Sequence, residues 1–170
     1  MKIRLEKGDI TQMSTDAIVN AANATLLGGG GVDGAIHRAA GSELLAECKT
    51  LNGCKTGSSK VTGGYELSAK YVVHTVGPVW KGGGHNEPAL LASCYRSCLD
   101  IASQYGLKSI AFPAISTGAY RFPREQATKI AIQSVLKFTN TSLETVVFVC
   151  FGEDSLSTYR SILESYNENT

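Results

Sequence analysis

The chain of 170 residues carries 16 Lys plus Arg against 15 Asp plus Glu, a formal charge of +1, which excludes a strongly basic surface that tracks nucleic-acid phosphates. A hydrophobic content of 43% suits one globular domain over residues 1–170 and excludes a disordered segment. Glycine is the outlier, 18 residues or about 11% against a usual ~7%, and most of the excess sits in short clusters.

Apolar, β-branched runs predict the first two strands over 2–6 and 16–20. A short helix from Asp33 and a helical stretch over 42–50 follow. Strands over 59–65 and 70–76 are separated by only a few residues around Leu67-Ser68, too few for a crossover, so that pair is antiparallel. After Pro88, Leu91, Cys94, Tyr95, Cys98, Ile101 and Ala102 recur at helical spacing. A strand over 108–114 leads to a second helical pattern after Pro123: Ala127, Ile130, Ala131, Val135 and Phe138. Both prolines suit a first helical turn. A strand over 144–151 precedes a last helix, with Asp154 as its N-cap and Tyr159, Ile162, Leu163 and Tyr166 on one face. Ile110-Ala111-Phe112 and Val146 to Cys150 are continuous rather than alternating, the pattern of strands covered on both sides. The expected architecture is α/β: a mixed six-stranded sheet in the order β-β-α-β-β-α-β-α-β-α, with an extra short helix and helices on both faces.

The five cysteines, Cys48, Cys54, Cys94, Cys98 and Cys150, show no zinc spacing and no disulfide framework, and Cys94, Cys98 and Cys150 read as core. No signal peptide and no apolar run long enough to span a bilayer is present. A cytoplasmic protein with no membrane contact is expected.

The unusual segments all fall just after strands, where the ligand crevice of an open α/β sheet lies. They are Gly8-Asp9-Ile10-Thr11, Asn20-Ala21-Ala22-Asn23, Gly28 to Gly34, Gly77-Pro78, Ile115 to Tyr120 and Phe151-Gly152-Glu153-Asp154. Gly28 to Gly31, ahead of a helix start, offer bare N–H groups that suit a pyrophosphate, with Ser116-Thr117-Gly118 as an opposing wall; a flexible connection is the plain alternative. Gly29-x-Gly31-x-x-Gly34 matches the dinucleotide fingerprint but stands about ten residues from the strand end and lacks the later acidic residue. Ala114 to Gly118 misses the nucleophile-elbow pattern, and His37, His74 and His85 all precede Ser116, the wrong chain order. Asn20 and Asn23 read either as turn amides or as ligand contacts. Asp33 reads either as a helix cap or as a functional carboxylate, with His37 on the same helix face.

Together, Gly8 to Thr11, Ile18 to Asn23, Gly28 to His37, His74-Thr75-Val76-Gly77-Pro78 and Phe112 to Gly118 resemble the macro domain, and more narrowly its MacroD-type branch of ADP-ribose hydrolases. The resemblance spans residues 8 to about 154 in the family's order. It implies a three-layer α/β/α sandwich with ADP-ribose across its crest. It also implies that Asp9, beside the Ile10 backbone, accepts from the adenine amino group and that Phe151 packs on the adenine. Gly29, Gly30, Gly31 and Val32, facing Ile115, Ser116, Thr117, Gly118, Ala119 and Tyr120, would hold the diphosphate and distal ribose, and Asn20 joins the substrate-binding set. Asn23 would position the ribose, Asp33 would be the catalytic carboxylate and His37 a supporting group.

The activity so implied is removal of acyl or protein-carboxylate groups from the distal ribose, with no metal and no cofactor. A non-catalytic ADP-ribose reader and an ADP-ribose-phosphate phosphatase are the alternatives. Expected partners are ADP-ribose, its esters or ADP-ribosylated proteins; nucleic acid is not expected, and the chain is expected to be a monomer. Two features depart from the pattern. Arg121 stands where many relatives have glycine, which places an extra cation near the distal ribose, and Lys81 to His85 is a glycine-rich loop.

Overall fold

A computed structural model describes residues 1–168. Six strands, β1 (Lys2–Lys7), β2 (Ala17–Ala22), β3 (Ser59–Gly63), β4 (Tyr71–Val76), β5 (Ser109–Phe112) and β6 (Thr145–Cys150), form one sheet in the order β1-β6-β5-β2-β4-β3. All neighbours are parallel except β3 with β4, the pair whose short connection forbids a crossover. Helices α1 (Gly31–Ala40), α2 (Ser42–Lys49), α3 (Glu87–Gln104), α4 (Arg124–Lys137) and α5 (Glu153–Glu168) complete the chain, with one 3-10 turn over Ile10–Gln12.

Alternation along each strand builds two cores. Val146, Phe148 and Cys150 of β6 pack with Leu91, Tyr95, Ile132 and Tyr159 of α3, α4 and α5. Val147 and Val149 face the other way, toward the layer that holds Ile36 of α1 and Leu44 of α2. The inner strands β2, β4, β5 and β6 thus send side chains into both cores, which is why β5 and β6 read as continuous apolar runs, whereas the edge strands β1 and β3 pack apolar side chains on one core only. The result is a three-layer α/β/α sandwich. All five cysteines are free and buried, and burial raises each thiol above its ordinary pKa, that of Cys98 to about 12.

Four local boundaries that bear on the site differ from the sequence reading. Strand β2 continues through Ala22 because Asn20, Ala21 and Ala22 stay in register with His74, Thr75 and Val76, so Asn20 lies within the strand rather than after it. Helix α1 begins at Gly31, not at Asp33, and runs ten residues with Gly30 as its N-cap. Pro123 is itself the N-cap of α4, and Asp154 sits in the first turn of α5 rather than capping it.

The loop from 81 to 86 closes around a buried carboxylate. Glu87, 1% exposed at the start of α3, accepts from the backbone N–H groups of Lys81 (2.8 Å), Gly83 (2.9 Å) and His85. The preceding Trp80 stacks on Phe122 at 4.7 Å, and its N–H donates to Tyr120 O, so this loop braces the segment after β5. Burial alone would raise the Glu87 carboxyl, yet the surrounding N–H groups outweigh it and hold it at about 2, below the usual 4.5. Folding therefore favours the charged form. The stabilisation is present above the unfolded value and is lost as pH falls through the folded one. In an NMR titration the Lys81, Gly83 and His85 amide resonances should move with a midpoint near 2; a midpoint at 4.5 would show that these amides do not hold the carboxylate.

Candidate functional site

Because β1, β6, β5, β2 and β4 run parallel, their carboxyl ends meet at one edge. There a cleft of about 1140 Å³ is lined by segments 8–10, 21–23, 29–33, 113–120 and 151–155, with Gly77 at its floor. Asp9, Ile10, Asn23, Asp33, Phe151 and the two opposed loops are thus brought to one surface. Asn20 and His37 do not line it; they lie behind Asp33. A second depression of about 370 Å³, between Thr25, Leu27, Cys48 and Lys49, collects none of the strand-end segments except the outer edge of the Asn23–Gly28 loop.

Asp33 is the centre of the arrangement. Its position in the first turn of α1 would let it cap the helix, yet no side chain caps Gly30, and the carboxylate turns toward the sheet instead. Asp33 Oδ1 accepts from Asn20 Nδ2 at 2.9 Å, and His37 Nε2, one helical turn on, lies 3.4 Å away. The residue is 4% exposed. A methyl group placed on Gly29 would stand 3.1 Å from Asp33 Oδ2 and 3.3 Å from Asn23 Nδ2, so the glycine loop passes directly between these two groups. Asn23 is itself oriented by the loop: its Nδ2 donates to Gly28 O (2.9 Å) and its Oδ1 accepts from Thr25 Oγ1 (2.7 Å).

On the segment after β1, Asp9 Oδ1 accepts from both the N–H and the hydroxyl of Thr11, which leaves Oδ2 clear. Phe151 is 93% exposed, an unusual state for a large aromatic ring and one that suits stacking on a planar ligand.

Three buried side-chain atoms among the described residues have no hydrogen-bond partner: Asn20 Oδ1, His37 Nε2 and Ser116 Oγ. Leaving such atoms unpaired is costly, and all three belong to this one locality. Two of the seven described non-glycine residues with positive φ fall in the segment after β5, Ser116 at +66° and Arg121 at +62°. Arg121 occupies a left-handed position that glycine takes without penalty, and it is exposed outside the cleft. The cations that do line the cleft are Arg38 and Arg124. Sequence reading missed both. Arg38 shares a face of α1 with Gly31 and Ala35, at i, i+4 and i+7, so helical spacing from the glycine loop was the available signal.

His74, which the sequence reading used in a motif string and among the histidines that precede Ser116 but not as a site residue, is fully buried. Burial first, and the nearby His37 second, push its imidazole down to about 3, so it is neutral at physiological pH. Among the described residues no group of three or more His, Cys, Asp or Glu is arranged to hold a metal ion, and no helix is long and apolar enough to cross a membrane.

A family model described as the macro domain matches residues 19–131. A macro domain-containing protein of Methanosarcina mazei is 61% identical, over 95% of this chain and 88% of its own. An O-acetyl-ADP-ribose deacetylase of Salmonella gallinarum is 52% identical, over 99% of this chain and 97% of its own. Among solved structures, a Trypanosoma brucei macrodomain in complex with ADP-ribose superposes with a TM-score of 0.90 at 49% identity, over 95% of this chain and 68% of that one. An Oceanobacillus iheyensis macrodomain with ADP superposes with a TM-score of 0.91 at 42% identity, over 96% of this chain and 90% of that one.

The cleft floor depends on the absence of a side chain at residue 77. A methyl group on Gly77 would fall 2.2 Å from Ser116 Oγ and 2.7 Å from Ile115 Cγ2. Gly77→Ala should therefore displace the 115–120 loop and cost about 1–3 kcal/mol of stability. Urea denaturation measures this, and an unchanged midpoint would show that the loop yields freely.

Proposed function

The chain belongs to the macro domain family, and from that premise we propose that it binds ADP-ribose along the cleft and hydrolyses acyl or protein-carboxylate groups from the distal ribose. The observation that carries this reading is the convergence of the Asp33 carboxylate and the Asn23 amide on either side of Gly29, in the cleft that Asp9 and Phe151 also line. The name of the Salmonella gallinarum relative and the ADP-ribose bound to the Trypanosoma brucei macrodomain point the same way.

In this reading the adenine stacks on Phe151 and its amino group donates to the clear oxygen of Asp9. The diphosphate takes the N–H groups of Gly29 to Val32 and of Ser116 to Tyr120, near the N-terminus of α1 where the helix dipole favours an anion. Asn23 fixes the distal ribose hydroxyls. Asp33 then takes or orients the proton of an attacking water: the water oxygen bonds to the reacting carbon, the bond to the leaving group breaks, and the oxygen that departs gains a proton. General-base help of this kind is worth about 100–10,000-fold. His37, close to Asp33, supports that carboxylate from one helical turn away.

Asp9→Asn keeps the oxygen that binds Thr11 but presents an NH2 group to the adenine amine. Calorimetry should then find ADP-ribose bound about tenfold more weakly, the loss of roughly one charge-assisted hydrogen bond. Unchanged affinity would move the adenine elsewhere.

Asp33→Ala separates the hydrolase from a reader. It should keep ADP-ribose binding within about tenfold and lose most turnover of O-acetyl-ADP-ribose, because the effect falls on the transition state. The unmodified enzyme should keep its rate in excess chelator. Full activity of Asp33→Ala, or no turnover of any ADP-ribose ester by the unmodified protein, would favour a reader; a rate lost on chelation and restored by a divalent metal would overturn the metal-free reaction.

A further inference from the structure

The sheet face beneath α1 and α2 is largely apolar but carries a small group of polar side chains at β2, β4 and β3. Ile18 and Ala22 of β2, and Val72 and Val76 of β4, belong to that apolar layer. Between them stand Asn20 and His74, direct partners in the parallel register, with Thr62 of β3 on the diagonal from His74. Asn20 and His74 are 0% exposed and Thr62 is 2% exposed. Polar groups buried this deeply destabilise a fold unless they are paired, so the pairing carries information.

The hydrogen-bond directions form a chain with no free choice. Asn20 Nδ2 lies 2.9 Å from Asp33 Oδ1 and 3.1 Å from His74 Nδ1. A carboxylate oxygen only accepts, so the amide must turn its NH2 group to Asp33. The second hydrogen of that same NH2 group then goes to His74, whose Nδ1 must accept. The ring hydrogen therefore sits on Nε2, 2.9 Å from Thr62 Oγ1, and the Thr62 hydroxyl donates onward to Gly63 O at 3.1 Å. Reversing the amide would set its oxygen against the carboxylate.

We propose that His74 is a positioning residue for hydrolysis: its Nδ1 pins the Asn20 amide, and the pinned amide holds Asp33 by Oδ1, so that Oδ2 stays turned toward the glycine loop and the cleft. The inference rests on the hydrolase reading above. Other ionisable groups around the imidazole leave this chain intact. From α1, Asp33 is engaged by Asn20, and the His37 ring stands 6.5 Å away. From α2, Cys48 Sγ is 3.9 Å from Nε2, while Glu47 is occupied by Gly63 N and the Tyr65 hydroxyl. From β3, Lys60 donates to Leu51 O. His74 does not line the cleft, and its hydrogen-bonded route to it runs through Asn20 and Asp33.

The test compares His74→Leu, which removes the acceptor, with His74→Asn, whose side-chain oxygen can replace Nδ1. For O-acetyl-ADP-ribose, His74→Leu should lose about 10–100-fold in kcat while its calorimetric ADP-ribose affinity stays within about threefold, and His74→Asn should regain most of the rate. An unchanged kcat in His74→Leu, an equal loss in both variants, or a parallel loss of affinity would overturn the proposal. Should His74→Leu fail to fold, nitrogen-15 NMR of the imidazole in the unmodified protein decides: hydrogen on Nε2 supports the chain, and hydrogen on Nδ1 breaks it. No turnover by the unmodified protein overturns the hydrolase reading and the positioning role together, whereas an active protein with an indifferent His74→Leu overturns the positioning role alone.

Discussion

Each of the strands β1, β6, β5, β2 and β4 ends at the same edge of the sheet because all five run parallel, and the position of every functional group follows from that. A chain that leaves a parallel strand must return through a covering segment, so strand-to-helix turns accumulate at one edge and helix-to-strand turns at the other. Helices α1, α4 and α5 accordingly open beside the cleft, at Gly31, Arg124 and Glu153. The N–H groups of their first turns face that edge, where the cations Arg38 and Arg124 stand among the carboxylates of Asp9, Asp33, Glu153 and Asp154, so any preference for an anion is local to the helix starts and not a matter of net charge. Strand β3 runs the opposite way and gives the cleft no residue.

Much of this edge was legible in the sequence, since strings rich in glycine, asparagine and aspartate broke off the apolar runs at the points where strands stop. Local pattern could not resolve Asp33. A helix cap and a functional carboxylate need the same residue type in the same first turn, and only a bond from Asn20, 13 residues earlier, shows that this carboxylate turns to the sheet rather than capping α1. Asn20 misled for a related reason. An asparagine after Ile18-Val19 looks like the end of a strand, and only its non-local pairing with His74 carries β2 on to Ala22. Pro123 shows the limit of boundary reading, since the ring that suits the first turn of a helix also suits the residue just before it.

The strained backbone around the cleft is over-determined by neighbours. Arg121 takes φ +62°, yet its N–H donates to Gly118 O, and the next residue, Phe122, is 2% exposed, stacked on Trp80 and bonded to Ser116 O. A left-handed arginine costs of order 1 kcal/mol, and anchoring on both sides offsets it. The turn therefore keeps its shape without the glycine, and the arginine is exposed without lining the cleft.

Glu87 gives the β4–α3 connection a fixed length. Its carboxylate gathers N–H groups from Lys81, Gly83 and His85, and the same stretch meets the cleft wall through Trp80. Exposed glycine-rich loops are usually the first choice for inserting a peptide tag or a reporter, because added residues there are tolerated. Here an insertion between 81 and 86 would unthread the amides from their carboxylate and release the Trp80 brace on the 116–122 segment. For fusion or labelling work the exposed turn after α3, at Tyr105 and Gly106, which binds neither Glu87 nor the cleft, is the sounder site, although it carries fewer glycines.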